Sequence, residues 1–271
     1  MTDPVQAMLE TNERQKAFYD TPIEARAGGS RVTAAWFALH DRIRSGWNAA
    51  GISEDLVRLH QEWSGDVSGK RVLDLGVYEG TPMTWWLAKR AGEFIAIDLS
   101  APSIARVQRR LSRMPNARAV VADFLSADFT ERDFDLIHAA SVLHHFQHFD
   151  RMLDVLADRL APGGRVITYD PLETALSVRL TRALYRPFQV DAEWEWPFTR
   201  ATVRAIERRF DVVELRGVFG RAKWALPLTA LSPSGGARVL RWLYDHDMRI
   251  ARQADRALWR CMHVTMLLAR R

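Results

Sequence analysis

The chain is poor in cysteine, in lysine and in long apolar runs, and each shortage excludes a class of protein. One cysteine, Cys261, stands among 271 residues. No disulfide framework therefore closes within a single chain, and a reducing cytoplasm is the expected setting. No stretch approaches the roughly 18 consecutive apolar residues that mark a membrane-crossing helix. The opening MTDPVQAMLETNERQK is polar and lacks the apolar block of a secretory signal. Lysine is scarce, so the net charge of +5 is carried almost wholly by arginine. A positive balance attracts nucleic acid or an anionic membrane. The arginines are scattered, however, as at Arg106, Arg109, Arg110 and Arg113, which suits a solvated helix face and argues against a nucleic-acid partner. The dinucleotide fingerprint G-x-G-x-x-G is missing too. What is plentiful is apolar residues, 48% of the chain beside 26% charged, enough to bury a full-sized core. Ten tryptophans are many for this length.

Residues 1–66 read as helices: Ala34, Trp36, Phe37, Leu39, Ile43 and Trp47 recur at near-helical spacing. Gly28-Gly29-Ser30 breaks the pattern, and Gly65-Asp66 ends it. Alternation then begins. Short apolar strands are expected at 71–75, 94–98, 119–122, 134–139 and 165–169. Thr81 with Pro82, and Ser100 with Pro102, stand where helix caps and first turns belong. Another helix over 152–160 stops at Pro162-Gly163-Gly164. This rhythm specifies a doubly wound α/β sheet, mostly parallel. Residues 171–199, rich in aromatics and proline, interrupt it as an insertion placed to cover a ligand. A helix over 199–210, a sixth strand over 212–219, a loop over 221–236, a long helix over 239–259 and a last strand over 261–269 follow. The expected organisation is an N-terminal helical cap over 1–66 and a core over 67–271.

In such a sheet, ligands bind at the carboxyl ends of the strands near the switch point. The first strand runs into Asp74-Leu75-Gly76-Val77-Tyr78-Glu79-Gly80, where Gly76 and Gly80 permit a sharp turn. The second ends in Asp98, whose carboxylate suits both hydroxyls of a ribose. The third ends in Asp123-Phe124, an acceptor for an adenine amino group beside an apolar ring. The fourth runs into Ala139-Ala140-Ser141-Val142-Leu143-His144-His145-Phe146. Its small residues leave room for a ligand tail, and its histidines offer a base near neutral pH. His144 and His148 lie four apart, but HHFQH lacks the glutamate of a zinc helix, and no metal is expected.

VLDLGVYEG at 72–80, IAIDLS at 95–100, VADF at 121–124 and FDLIHAASVLHHF at 134–146 together resemble the class I S-adenosylmethionine (SAM)-dependent methyltransferases, small-molecule branch. LAPGGRVITYDP at 160–171 matches that family's turn and fifth strand. The resemblance implies a Rossmann-like fold of seven strands, with the last inserted antiparallel between the fifth and sixth. It implies SAM as cofactor and S-adenosylhomocysteine as product. Asp74, Gly76 and Gly80 would shape the methionine pocket, Asp98 with Leu99 the ribose site, Asp123 and Phe124 the adenine site, and Ala139 and Ala140 the amino-acid end. Tyr78 stands where the family has a second glycine, which narrows the loop and sets a phenol over the ligand. Phe18-Tyr19-Asp20 resembles a segment that folds over the site in small-molecule members, and Glu195-Trp196-Pro197-Phe198-Thr199 one found after the fifth strand.

The expected activity is methyl transfer to a small, hydrophobic or aromatic metabolite of the natural-product type. Proximity supplies much of the acceleration, because the sulfonium is already activated. His144, His145 and Tyr19 are the candidates for proton removal. Tyr169, Asp170, Tyr185, Trp194 and Trp196 are the candidates for the acceptor pocket. Nucleic-acid, lipid or prenyl methylation, or a SAM fold without transfer, are the alternatives; a nucleic-acid amino methylase would want N/D-P-P-Y/F where Ala139-Ala140-Ser141-Val142 stands. The N-terminal helices suit exchange within a homo-oligomer, which nothing in the sequence demands.

Overall fold

Strands buried on both faces alternate with capped helices, and this alternation builds the core. The computed structural model describes residues 4–21 and 31–271; the break expected at Gly28-Gly29-Ser30 lies outside them. Three helices come first: α1 (Pro4–Asp20), α2 (Arg31–Ala49) and α3 (Ile52–Ser64), the last closed by Gly65. The alternating part comprises β1 (Arg71–Leu75), α4 (Pro82–Arg90), β2 (Glu93–Asp98), α5 (Ala101–Leu111), β3 (Ala117–Val121), β4 (Phe134–Ala140), α6 (Phe149–Arg159) and β5 (Leu160–Pro171). After it come α7 (Leu176–Tyr185), α8 (Arg200–Arg209), β6 (Phe210–Val218), α9 (Leu226–Leu231), α10 (Pro233–Ile250) and β7 (His263–Arg270).

The strands form one seven-stranded sheet in the order β3-β2-β1-β4-β5-β7-β6. The first five pair in parallel, and β7 lies antiparallel between β5 and β6. Parallel strands need both faces covered, so they read as apolar runs whose alternate residues point to opposite sides. Leu73, Ile95 and Ile137 pack with Met152, Leu156 and Ile206 on one face. Val72, Phe94 and Leu136 pack with Met83, Leu87 and Val107 on the other. The side chain of Thr81 accepts from Thr84 N–H to cap α4, and Ser100 does the same for α5 from Ser103 N–H.

The C-terminal third departs from expectation. Residues 221–236 are helical, with a 3-10 turn at Ala222–Ala225, then α9, then the start of α10. Ser232 supplies the extended break between them, and Pro233 starts α10. The glycines that read as a loop serve close packing: a Cβ on Gly236 would stand 2.6 Å from the Leu228 backbone, so its absence lets α10 cross α9. The helix expected over 239–259 ends at Ile250, where Ala251 turns and its carbonyl accepts from Gly217 N–H. Pro162-Gly163-Gly164 lies within the span of β5, at an irregularity in its pairing with β4, rather than ahead of the strand. Leu172 and Phe198 bridge, bringing both ends of the 171–199 excursion back to the sheet edge.

A buried polar relay ties α3 to the sheet. The Thr265 hydroxyl donates to Thr168 O at 2.6 Å, so its oxygen is free to accept from His60 Nε2–H at 2.9 Å. His60 Nδ1 must then accept from His138 Nε2–H at 3.2 Å, because burial holds His60 well below its ordinary pKa and neutral. His138 Nδ1 meets Asp74 Oδ1 at 2.8 Å, and those two groups share one proton. Thr265→Val keeps the shape but strands the His60 N–H and removes a donor from the Thr168 carbonyl. It is expected to cost about 3 kcal/mol, on the scale of unsatisfied buried groups, read as a lower urea midpoint with unchanged m.

Candidate functional site

Two cavities adjoin at the carboxyl ends of the strands, where the sheet order reverses between β1 and β4. The first, about 520 Å³, lies over β1, β2 and β3. Gly76, Tyr78 and Gly80 from the turn after β1 line it, with Asp98 and Leu99 after β2. Gly76 has φ +70°, and a Cβ there would stand 2.3 Å from Cγ2 of Val142. Tyr78 has φ +48°, a left-handed conformation costly for a side chain with Cβ. Its N–H donates to Asp98 Oδ2 at 2.8 Å, and Ser100 N–H donates to Oδ1 at 2.9 Å. Burial pushes the Asp98 pKa up, and these two N–H groups oppose the shift. The carboxylate is thus aimed, with lone pairs left for a diol.

Asp123, Phe124, Ala140 and Ser141 complete the far wall. Asp123 accepts from Leu125 N–H at 2.9 Å and from Asn12 Nδ2 at 2.7 Å. Helix α1 therefore lies across the cavity, and Asp20 pins its end by accepting from Ala101 N–H at 3.1 Å. Asn12, Gln15 and Tyr19 all face the cavity. The sequence reading found Tyr19 and missed the other two. Their signal was the spacing of three polar residues on one helical face. Two expected residues are elsewhere. Asp74 is buried in the relay with His138, and Ala139 is fully buried; neither lines the cavity. Both sit inside strands, where alternation turns them away from the cavity wall.

The second cavity, about 660 Å³, shares Ser141, His145 and Asp191 with the first. Its walls are largely aromatic: Trp36, Phe37 and Trp47 from α2, Tyr185 from α7, then Phe219 and Trp224. Trp36 and Tyr185 stack at 4.9 Å between centroids. His144, Arg182, Lys223 and His263 supply polar points. Of the five residues expected around an acceptor, Tyr185 lines this cavity and the other four do not. Asp170 is buried and accepts from His144 twice, from backbone N–H at 3.1 Å and Nδ1–H at 2.8 Å. Tyr169 stacks on His263 at 5.1 Å. The Trp194 carbonyl lies 2.7 Å from His145 Nδ1, and Trp196 N–H donates to His144 O at 2.7 Å. They support the histidines rather than enclose a ligand.

A carbonyl only accepts, so His145 Nδ1 carries the hydrogen and Nε2 keeps a free lone pair. The Tyr19 hydroxyl is 3.5 Å from the same Nδ1. His144 is oriented alike by Asp170. Burial lowers the pKa of His144 and of His145 to about 4 and that of His263 to about 3, and raises Asp170 to about 7. At neutral pH both adjacent imidazoles are therefore uncharged bases. Among the described residues, no group of three or more metal-ligating side chains is arranged to hold an ion.

Residues 72–164 match the family described as "Methyltransferase domain". An uncharacterized methyltransferase of Mycobacterium bovis is 32% identical over 100 residues, 36% of this chain and 50% of that protein. The phthiotriol/phenolphthiotriol dimycocerosates methyltransferase 1 of Mycobacterium ulcerans is 25% identical over 155 residues, 56% of this chain and 52% of that one. The chain spans about half the length of these relatives. The fold matches the geranyl diphosphate C-methyltransferase of Streptomyces coelicolor, solved with Mg2+, geranyl diphosphate and S-adenosylhomocysteine. Its TM-score is 0.56 at 14% identity, covering 80% of each chain.

The buried imidazoles set a pH dependence. The folded values of His144, His145 and His263 lie below the ordinary 6.5, so their stabilisation is present above that pH and lost as pH falls toward about 4. Asp170 runs the other way, stabilising below the ordinary 3.8 and ceasing to do so as pH rises through about 7. Three groups outweigh one. The urea midpoint is expected to fall on acidification from pH 6.5 to about 4, and His263→Phe, which keeps a ring on Tyr169, should flatten the fall. An identical slope in that variant removes His263 from the account.

Proposed function

We propose that this chain, whose residues 72–164 are a methyltransferase domain of the class I SAM-dependent type, moves a methyl group to a small, mainly apolar acceptor held in the second cavity. The observation that carries the reading is the meeting of two ligand-sized cavities at Ser141, His145 and Asp191. The first cavity fits the adenosyl cofactor on its own evidence. The Asp98 carboxylate is held by two backbone N–H groups with capacity to spare, and Gly76 leaves unfilled the space a Cβ would take. Asp98 and Leu99 would hold the ribose, Asp123 and Phe124 the adenine, and Gly76, Tyr78, Gly80 and Ala140 the methionine end. When bound, SAM supplies a methyl group already activated on a sulfonium sulfur.

The chain's own work is then positioning and proton removal. Helix α1 closes over the first cavity through Asn12 and Asp20, which excludes water and fixes the donor side. The aromatic walls of the second cavity orient an apolar acceptor. His145 lies at the junction with Nε2 unprotonated, placed to take a proton from an acceptor hydroxyl or ammonium. His144, held by Asp170, is a second base deeper in the acceptor cavity, and Tyr19 flanks His145. The helices before residue 67 and the 171–199 excursion serve as a cap over the core. The names of the relatives favour a lipophilic acceptor. The single cysteine favours a reducing cytoplasm as the setting.

The decisive experiment incubates the protein with methyl-labelled SAM and a panel of apolar hydroxyl, amine and carbon acceptors, and weighs the products. Asp98→Asn is expected to weaken S-adenosylhomocysteine binding by about 10- to 100-fold in calorimetry, on the scale of lost charged hydrogen bonds. His145→Ala should leave that binding within a few-fold and cut turnover by about 10²- to 10⁴-fold. A folded Asp98→Asn protein that binds the nucleoside unchanged would sink the cofactor assignment.

A further inference from the structure

We infer that the rim of the second cavity is a docking surface for an anionic lipid bilayer. Helix α7 advances about 100° per residue, so Ser177, Thr181 and Tyr185 form one stripe, which lines the cavity. Leu176, Leu180 and Leu184 form a second stripe about 100° further round. These leucines are 68%, 58% and 77% exposed. Across the mouth, Trp224 lines the cavity and is still 65% exposed, and Leu231 on α9 is 82% exposed. Large apolar side chains left in water around an aromatic cavity mark a surface meant to be covered.

The charge around them identifies the cover. Residues 176–188 and 221–242 contain seven arginines and lysines and no aspartate or glutamate. Two of the seven are paired with carboxylates, Arg182 with Glu195 and Arg241 with Asp55 and Asp245, and Arg186 donates to the Ala192 carbonyl at 2.8 Å. Arg179, Arg186, Arg221 and Arg238 are exposed and have no carboxylate partner among the described residues. Lys223 spends two donors on the Gly220 and Arg260 carbonyls and sits 5.4 Å from the Trp224 ring. Leucines flanked by arginines, with a tryptophan at the edge, match a layer whose headgroups are negative and whose interior is apolar. A second copy of this chain fits poorly, because an isologous contact would set these unneutralised cations against their own kind. A lipophile lying in the bilayer would reach the aromatic cavity without crossing water. That last step rests on the methyl-transfer reading; the docking surface does not.

The test is co-sedimentation of the full chain with vesicles of phosphatidylcholine alone, or mixed with phosphatidylglycerol. Binding is expected to the anionic vesicles only, weakened by salt. Leu180→Glu/Leu184→Glu and Arg179→Glu/Arg186→Glu should each reduce it about tenfold or more. Both variants change exposed positions outside the first cavity, so S-adenosylhomocysteine binding by calorimetry should stay native and report that the fold is intact. No binding by the native chain overturns the inference, as does undiminished binding by the leucine variant. So does a native dimer that the leucine variant splits without any vesicle binding. Loss of nucleoside binding by the native chain, with vesicle binding kept, would instead overturn the methyl-transfer reading and leave this surface standing.

Discussion

The contact between Gly76 and Val142 is the constraint on which the rest of the site depends. Strands β1 and β4 are neighbours where the sheet order reverses, so the turns that leave them come within touching distance. A side chain at Gly76 would occupy the place of Val142. Its absence lets both turns pack, and the N–H groups of Gly76 and Val77 then donate to Ile97 O at the end of β2. That tie carries the backbone on to Tyr78, whose N–H aims Asp98 into the first cavity. On the other side, the turn after β4 carries Ser141, with φ +59°, and delivers the two histidines to the second cavity. One missing side chain thus fixes both halves of the site, at the switch point where open α/β sheets bind ligands.

The histidines meet opposite demands. A buried imidazole is costly when charged and costly when unpaired. Each is therefore neutral, with one nitrogen satisfied by a group that leaves the other free: Asp170 for His144, and the Trp194 carbonyl for His145. The partner of His145 comes from the excursion after β5, so that segment supports the base as well as enclosing the cavity. Lys223 is likewise anchored by two carbonyls rather than by a carboxylate, and burial beside the cavity pulls its pKa down.

Much of this was legible in the residues. The alternation of strands and helices and the caps at Thr81 and Ser100 follow from local patterns, while the antiparallel last strand and the joint site of Gly76, Asp98 and Asp123 were what the family resemblance implied. The misreadings share one cause, a local signal outweighed by a distant contact. Ser232 to Gly236 looks like a loop until Leu228 is seen to need the space. Asp74 belongs to the glycine turn by sequence, yet strand alternation turns its side chain toward His138 and, through it, His60 of α3. Tyr169 and Asp170 stand at the right strand end, but their side chains are taken up by His263 and His144.

What the chain determined by itself is what neighbours in sequence carry: the alternating strands and helices of 71–171, the caps at Thr81 and Ser100, and the acidic side chains, Asp98 and Asp123, that close the second strand and follow the third. Periodicity and capping act over a few residues, so they are written where they act. The tertiary structure alone decided that α1 lies over Asp123, that Trp36 stacks on Tyr185, that Trp194 orients His145, and that Asp191 joins the two cavities. These groups lie tens to more than a hundred residues apart along the chain. Their meeting depends on how the whole sheet packs, which no short stretch of sequence contains.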